Sequence, residues 1–578
     1  MQNAEKLQKQ NRFQPNRRAV LQGGAALAAA TVLAPASARA DSHEAEMYAY
    51  AGEQPHASIA RNVVETDSGK VAGYESGGIL AFKGIPYADT TGGPNRFLRA
   101  ARPKPWTGVR SAWHWGWVCP QPYTSSWSGR RTGWQHDEES FMFQWTDGEP
   151  DEDCLRINVW TPGCDASKRP VMFWIHGGGF TSGHANELAT YDGEELARRG
   201  NVVVVSVNHR LGPLGFLNLS EFGSQYADSG IAGMLDLVDA LQWVKTNIGS
   251  FGGDSGRVLI FGQSGGGGKV STLMGMPAAR GLFHRAVIES SGTPIRQIAD
   301  ETSRRTTAAL LKELGIDSSS LDKLRQVAVE EILEASVRVS RLARTPNSPE
   351  LGFGGWGPVV DGRNLPRDVW APSAPEASSE VPLLVGSVLN EMGNSVQMGD
   401  AALEGMSMDE VKTRLARQFR DPDALIEAIQ KAHTIHKPFD IYSLSQGLPR
   451  RVDVLQMASL KTEQGKAPAY VYKFVWQSPM VDGRARAYHC SELPFVFYNA
   501  GRCSMMTGGG PEAVALAGKI SDAWINFARS GNPNHPGLPQ WPAFSPDTKP
   551  TMVFDSQCAL KTNYDDAQVK AAENTRGA

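Results

Sequence analysis

The sharpest chemical signal in the chain is Gly262-Gln263-Ser264-Gly265-Gly266, directly after the apolar run Val258-Leu259-Ile260-Phe261. A strand that ends in Gly-x-Ser-x-Gly and turns into a helix forces the serine into a tight bend and leaves its hydroxyl exposed above the sheet. A serine hydroxyl is a weak nucleophile, so chemistry at Ser264 requires a histidine base, an acid behind it and donors for an anionic oxygen. A second glycine-rich stretch, His176-Gly177-Gly178-Gly179-Phe180, follows the apolar run Val171 to Ile175. Consecutive glycines let backbone N–H groups face a cavity, where each stabilises a tetrahedral oxyanion by a few kcal/mol. Alone this is as consistent with a plain glycine turn; beside a nucleophilic serine it reads as an oxyanion loop.

Two phosphate-binding readings of the same glycines fail. A Walker loop ending at Gly268-Lys269 would need glycine at Gln263 and Ser or Thr at Val270. A dinucleotide fingerprint starting at Gly265 would also need a small residue at Val270. No Cys-x-x-Cys or His-Glu-x-x-His run is present, so a metal site has little support. The chain has 578 residues and is 41% hydrophobic and 21% charged, the composition of a soluble globular protein. Its formal net charge of −3 argues against a nucleic-acid partner and predicts little steering of charged substrates.

The first 40 residues read as a targeting segment. Arg17-Arg18 precedes an Ala-rich, weakly apolar run from Ala25 to Leu33, and Ala38-Arg39-Ala40 supplies the small residues of a cleavage site. Paired arginines with weak hydrophobicity fit twin-arginine export. The apolar run is far short of the ~20 residues of a membrane span, so the expectation is a periplasmic or secreted protein, free of the membrane once processed near Asp41. Export permits disulfides. Closing the polar segment between Cys119 and Cys154 would contribute about 3–4 kcal/mol, but spacing alone does not settle the pairing. Cys164, Cys490, Cys503 and Cys558 stay unassigned.

Apolar runs at Val171–Ile175, Val202–Val205, Val258–Phe261, Pro382–Gly386 and Tyr470–Val475 predict strands covered on both faces of a largely parallel sheet. From Ile231 to Ile248, apolar residues three and four apart predict a helix with one buried stripe. Residues 301–345 and 407–434 read as helical insertions, and Ala513–Ala528 as a final helix stopped by Pro533, Pro536 and Pro539. The predicted organisation is a signal over 1–40, a mobile lead-in over 41–60, a single α/β domain over 61–565 and a tail over 566–578.

With these motifs in view, the chain resembles the type-B carboxylesterases of the cholinesterase-like branch of α/β-hydrolases. The resemblance runs from Phe82-Lys83-Gly84-Ile85-Pro86-Tyr87-Ala88 to Trp524-Ile525-Asn526-Phe527-Ala528. Between them lie Glu152-Asp153-Cys154-Leu155-Arg156-Ile157-Asn158-Val159-Trp160 and Asn247-Ile248-Gly249-Ser250-Phe251-Gly252-Gly253-Asp254. It implies an α/β-hydrolase fold: a large, mixed, mostly parallel sheet flanked by helices, with helical insertions and a gorge leading to the serine. It also implies a triad ordered Ser, acid, His. The matching loop Gly386-Ser387-Val388-Leu389-Asn390-Glu391-Met392-Gly393 makes Glu391 the acid, and Tyr488-His489-Cys490-Ser491-Glu492-Leu493-Pro494-Phe495 makes His489 the base. By the same match the N–H groups of Gly178, Gly179 and Gly265 form the oxyanion hole, and Cys119 pairs with Cys154.

Four residues depart from the family's pattern or lack a role. Met392 replaces the glycine usual after the acid, with Gly393 able to make the turn. Gln263 replaces the usual Glu before the serine and removes a negative charge, which disfavours a dedicated choline-ester enzyme. Gly265 replaces the common alanine, and Lys269 stands among glycines with no role evident from sequence. Trp127, Trp134 and Trp145 form either an aromatic rim or part of the core. The expected protein is a serine ester hydrolase working through an acyl-enzyme on a small-molecule carboxylic ester, without metal or cofactor. A histidine base predicts activity that declines as pH falls through about 6.5. The alternatives are a non-catalytic binding domain of the same fold, an amide or lactone hydrolase on the same site, and a cofactor-loaded oxidoreductase suggested by the export route. Whether it is a monomer or a homodimer is not legible from sequence.

Overall fold

The structure is a computed structural model and describes residues 55–122, 136–291, 297–343 and 355–573. The predicted signal, most of the lead-in, Trp127 and Trp134 lie outside the described residues. Valine-, isoleucine- and aromatic-rich runs form the central strands because β-branched and aromatic side chains pack well on a pleated surface. The strands Val203–Val207, Arg169–Ile175, Gly253–Gln263, Arg285–Glu289, Leu383–Val388, Ala469–Phe474 and Thr551–Phe554 lie side by side in that order and run parallel. Antiparallel strands extend both edges to make a twelve-stranded sheet. This is the large, mixed, mostly parallel sheet with flanking helices of an α/β-hydrolase.

Alternation of side chains across each strand feeds two cores. Val171, Phe173 and Ile175 join Val258 and Ile260 on one face, whereas Met172 and Trp174 join Leu259 and Phe261 on the other. Helices Ala232–Asn247 and Leu448–Glu463 supply the first face, and helix Pro511–Ser530 the second. The insertions fold as helices Asp300–Glu313 and Val329–Ala343, and as Met408–Ala416 and Pro422–Ala432.

His56–Ala57, placed in the lead-in, pairs antiparallel with Tyr74–Ser76 at the sheet edge. Within the residues read as a C-terminal tail, Asp566–Glu573 is a helix packed on Pro422–Ala432 and Leu448–Glu463, burying Val569 and Ala572. The preceding Asp565 pins it through a buried ion pair with Arg451 at 2.7 Å. Val569 and Ala572, three apart, place small apolar surface on one helical face, a stripe too short to stand out in sequence.

Candidate active site

The strand Gly253–Gln263 ends one residue before Ser264, and the helix Gly265–Gly275 begins one residue after it. Ser264 sits at φ 56°, ψ −122°, a strained conformation for a residue with a Cβ. Its own N–H donates to the carbonyl of Glu289 at 2.9 Å and its carbonyl accepts from Gly268 at 3.0 Å. The bend is therefore over-determined by the neighbouring strand and by its own helix.

Three strand ends bring the remaining groups to this bend. Beyond Leu383–Val388 the chain turns through Glu391, whose φ of 46° aims its carboxylate back toward the sheet. Beyond Ala469–Phe474 a long connection carries His489 alongside, and its N–H donates to the Glu391 carbonyl at 3.0 Å. The side chains meet as well: His489 Nδ1 lies 2.5 Å from Glu391 Oε2, both residues buried. Gln263, the residue before the serine, places its amide nitrogen 3.3–3.4 Å from both ring nitrogens of His489. Near-equal distances put that amide over the ring face, and the Gln263 oxygen accepts from the Cys490 thiol at 3.2 Å. The structure thus gathers Gln263, Glu391 and His489 next to the bend at Ser264.

The glycine loop after Arg169–Ile175 lies against the start of the serine's helix. A Cβ on Gly265 would stand 2.2 Å from the Gly179 nitrogen, which accounts for glycine where the family commonly has alanine. Gly178 and Gly179 take φ of 77° and 64°. The carbonyl of Gly178 accepts from Ser182 N at 3.1 Å and Ser182 Oγ at 3.0 Å, fixing the peptide unit that carries the Gly179 N–H. Gly265 opens its helix, so its N–H has no intrahelical acceptor.

Sequence reasoning missed the residues that hold the acid and base. Gln397 clamps the His489 backbone from both sides, accepting from its N–H and donating to its carbonyl, each at 3.2 Å. Asn394 donates to the Glu391 carbonyl at 3.2 Å and to Gln397 Oε1 at 2.8 Å. Gly393 closes the turn by donating to Asn390 O at 2.8 Å, so Met392 leaves the turn intact. The only signal available was an Asn-Glu-Met-Gly-Asn cluster after a strand, which marks a turn but not its partners.

Two further carboxyl groups are buried nearby, Glu492 feeling both Glu289 and Glu391. Glu289 accepts from Trp524 Nε1 at 2.7 Å, and Glu492 accepts from Ser290 Oγ at 3.1 Å. Burial pushes Glu289 up to about 8; burial and the neighbouring carboxylates push Glu492 up as well. Trp145 stacks on Phe143 at 4.7 Å, and Phe143 packs edge-on against Tyr488. That tryptophan belongs to the packing behind His489.

The expected Cys119–Cys154 bridge is not formed in this structure. Both sulfurs are buried thiols. Cys119 accepts from Leu211 N at 3.2 Å, and its hydrogen bond with Cys154, together with burial, raises the Cys154 thiol well above its usual range.

Against known proteins, the model of the Carboxylesterase family matches residues 60–572. The para-nitrobenzyl esterase of Bacillus subtilis (strain 168) is 34% identical over 514 residues, covering 87% of this chain and 97% of that protein. The phenmedipham hydrolase of Pseudarthrobacter oxydans is 33% identical over 517 residues, covering 87% and 96%. A solved esterase from Clostridium hathewayi, described as able to hydrolyse aliphatic aromatic polyesters, superposes with a TM-score of 0.77 at 35% identity. That superposition covers 90% of this chain and all of the other. With a family match spanning nearly the whole described fold, this chain belongs to the carboxylesterase family and is a carboxylic ester hydrolase.

Proposed function

We propose that the protein is an exported serine esterase in which Ser264, His489 and Glu391 act as the triad and Gly178, Gly179 and Gly265 as the oxyanion hole. The observation that carries this reading is the buried 2.5 Å contact between His489 Nδ1 and Glu391 Oε2, beside a serine held in a strained bend. With Nδ1–H directed at the carboxylate, Nε2 is the basic nitrogen. It takes the Ser264 proton as Oγ bonds to the ester carbonyl carbon, and the carbonyl π electrons move onto oxygen. The N–H groups of the loop receive that charge. Collapse breaks the bond to the alcohol oxygen, which takes the proton from the imidazolium. Water, deprotonated by the same nitrogen, then adds to the acyl carbon; the bond from that carbon to Oγ breaks, Oγ takes the proton from the imidazolium, and the acid leaves.

The substrate class is small-molecule carboxylic esters, and the neutral Gln263, by removing a negative charge, counts against a dedicated choline ester. The relative named para-nitrobenzyl esterase is the reason to assay benzyl esters first. Amide and lactone cleavage use the same groups and are read by a p-nitroanilide and a lactone run beside the ester panel. The test is hydrolysis of p-nitrophenyl esters of increasing acyl length, beside Ser264→Ala. Turnover abolished by Ser264→Ala supports the reading; an inert wild type at every length overturns it in favour of a binding domain. Export is tested separately: the full chain should be processed near Asp41, and Arg17→Lys with Arg18→Lys should leave it unprocessed.

A further inference from the structure

The helix that follows Ser264 carries a fully buried cation. Lys269 has no exposed surface, and its ammonium donates to the carbonyls of His176 at 2.9 Å and Gly177 at 3.1 Å. These carbonyls sit at the back of the glycine loop. The Gly177 carbonyl belongs to the same peptide unit as the Gly178 N–H, and the two point in opposite directions in a trans peptide. A cation bound at that oxygen therefore sets the direction of the N–H and draws electron density away from it, which strengthens the N–H as a donor.

We propose that Lys269 is a positioning residue of the oxyanion hole, fixing and polarising from behind the peptide unit that presents the Gly178 N–H. The proposal rests on the reading of Ser264 and the glycine loop given above. The adjacent unit is held comparably, with Ser182 bound to the Gly178 carbonyl, but there the clamp is neutral.

The groups facing Lys269 make its charge the relevant one. His176 and His209 stack at 5.1 Å behind the loop, and burial, followed by the Lys269 charge, pushes both well below the usual imidazole range. Both rings are therefore neutral and add no positive charge. Glu187, itself raised by burial to about 7, favours the ammonium when ionised, and the Phe180 ring lies 6.0 Å away. Burial lowers Lys269 to about 7, so the cation is present on the acid side of neutrality. Burying a cation is costly, and two carbonyls at the oxyanion loop are what this one holds.

Lys269→Met and Lys269→Gln test this at pH 6.5. The glutamine keeps a donor for one carbonyl and guards against a variant that does not fold; unfolding midpoints identify the folded ones. Folded variants should lose about 10- to 100-fold in kcat with KM within about twofold, since one oxyanion donor is weakened rather than removed. Affinity for an aryl-alkyl trifluoromethyl ketone, which forms a hemiketal oxyanion on the serine, should fall by the same factor as kcat/KM. A folded variant with wild-type kcat, or one whose KM rises while kcat holds, overturns the proposal. If the wild type turns over esters and Ser264→Ala does not, those results overturn the role of Lys269 alone. An inert wild type overturns the underlying reading.

Discussion

At the scale of single residues, the candidate chemistry depends on charge placed around one imidazole. Replacing the carboxylate by Glu391→Gln keeps the shape but offers Nδ1 either an amide donor or a neutral acceptor, so the ring loses its fixed tautomer. The expected result is a fall in kcat of roughly 10³- to 10⁴-fold with little change in KM, read by steady-state kinetics on a p-nitrophenyl ester. Gln263→Glu works in the other direction. It would place a negative charge where the amide nitrogen now stands, 3.3–3.4 Å from both ring nitrogens. An adjacent anion favours the imidazolium, so the acid limb of the kcat/KM profile should move to higher pH by about one unit. An unmoved limb would mean that Gln263 does not contact the working imidazole. The substitution also tests whether the family's usual glutamate is compatible with the rest of this site.

At the scale of elements, the site is a set of strand ends whose loops are tied to one another. Gln397 is the clearest tie, bonded to both backbone polar groups of His489 and to Asn394. Gln397→Ala should destabilise the fold by about 1–3 kcal/mol, the cost of leaving buried backbone and amide groups unpaired. It should also lower kcat, measured beside denaturant unfolding; an unchanged midpoint would mean the loops hold His489 without it. This is also where sequence reading reached its limit. The strand before Ser264 and the glycine bend were legible because strand period and glycine chemistry are local. The meeting of His489 and Glu391 was legible only through the resemblance, because nothing local pairs a carboxylate with an imidazole 98 positions away. Gln397 and Lys269 were not legible, since their partners lie on other elements: Lys269 reaches from the helix after Gly253–Gln263 to the carbonyl of His176, after the neighbouring strand. The docked C-terminal helix escaped for a similar reason, its anchor Asp565 finding Arg451 only in the folded chain.

At the scale of the whole molecule, the buried ionisable groups tie stability to pH, and Glu289 offers the cleanest case. Its unfolded carboxyl titrates near 4.5, whereas burial raises the folded one to about 8. Between those values the folded state holds a proton that the unfolded state has released. Stability therefore falls as pH rises from about 4.5 to 8, and above that the folded state carries the full cost of a buried carboxylate. Lys269 has the opposite sign, because its folded value of about 7 lies below the unfolded 10.5. From about pH 7 to 10.5 the unfolded state holds the extra proton, so this group's contribution rises with pH. The two slopes overlap only near neutrality; on the acid side Glu187, raised by burial to about 7, slopes the same way as Glu289, so the variant rather than the slope alone isolates Glu289. Glu289→Gln retains an oxygen to accept from Trp524 Nε1 and removes the titration. The variant's unfolding free energy should fall less than the wild type's between pH 5 and 7, while the two differ little at pH 5, where the wild-type carboxyl is already protonated in the fold. Parallel losses in the two proteins would assign the slope to other groups, with Glu492, also raised by burial and adjacent in charge, the first to test.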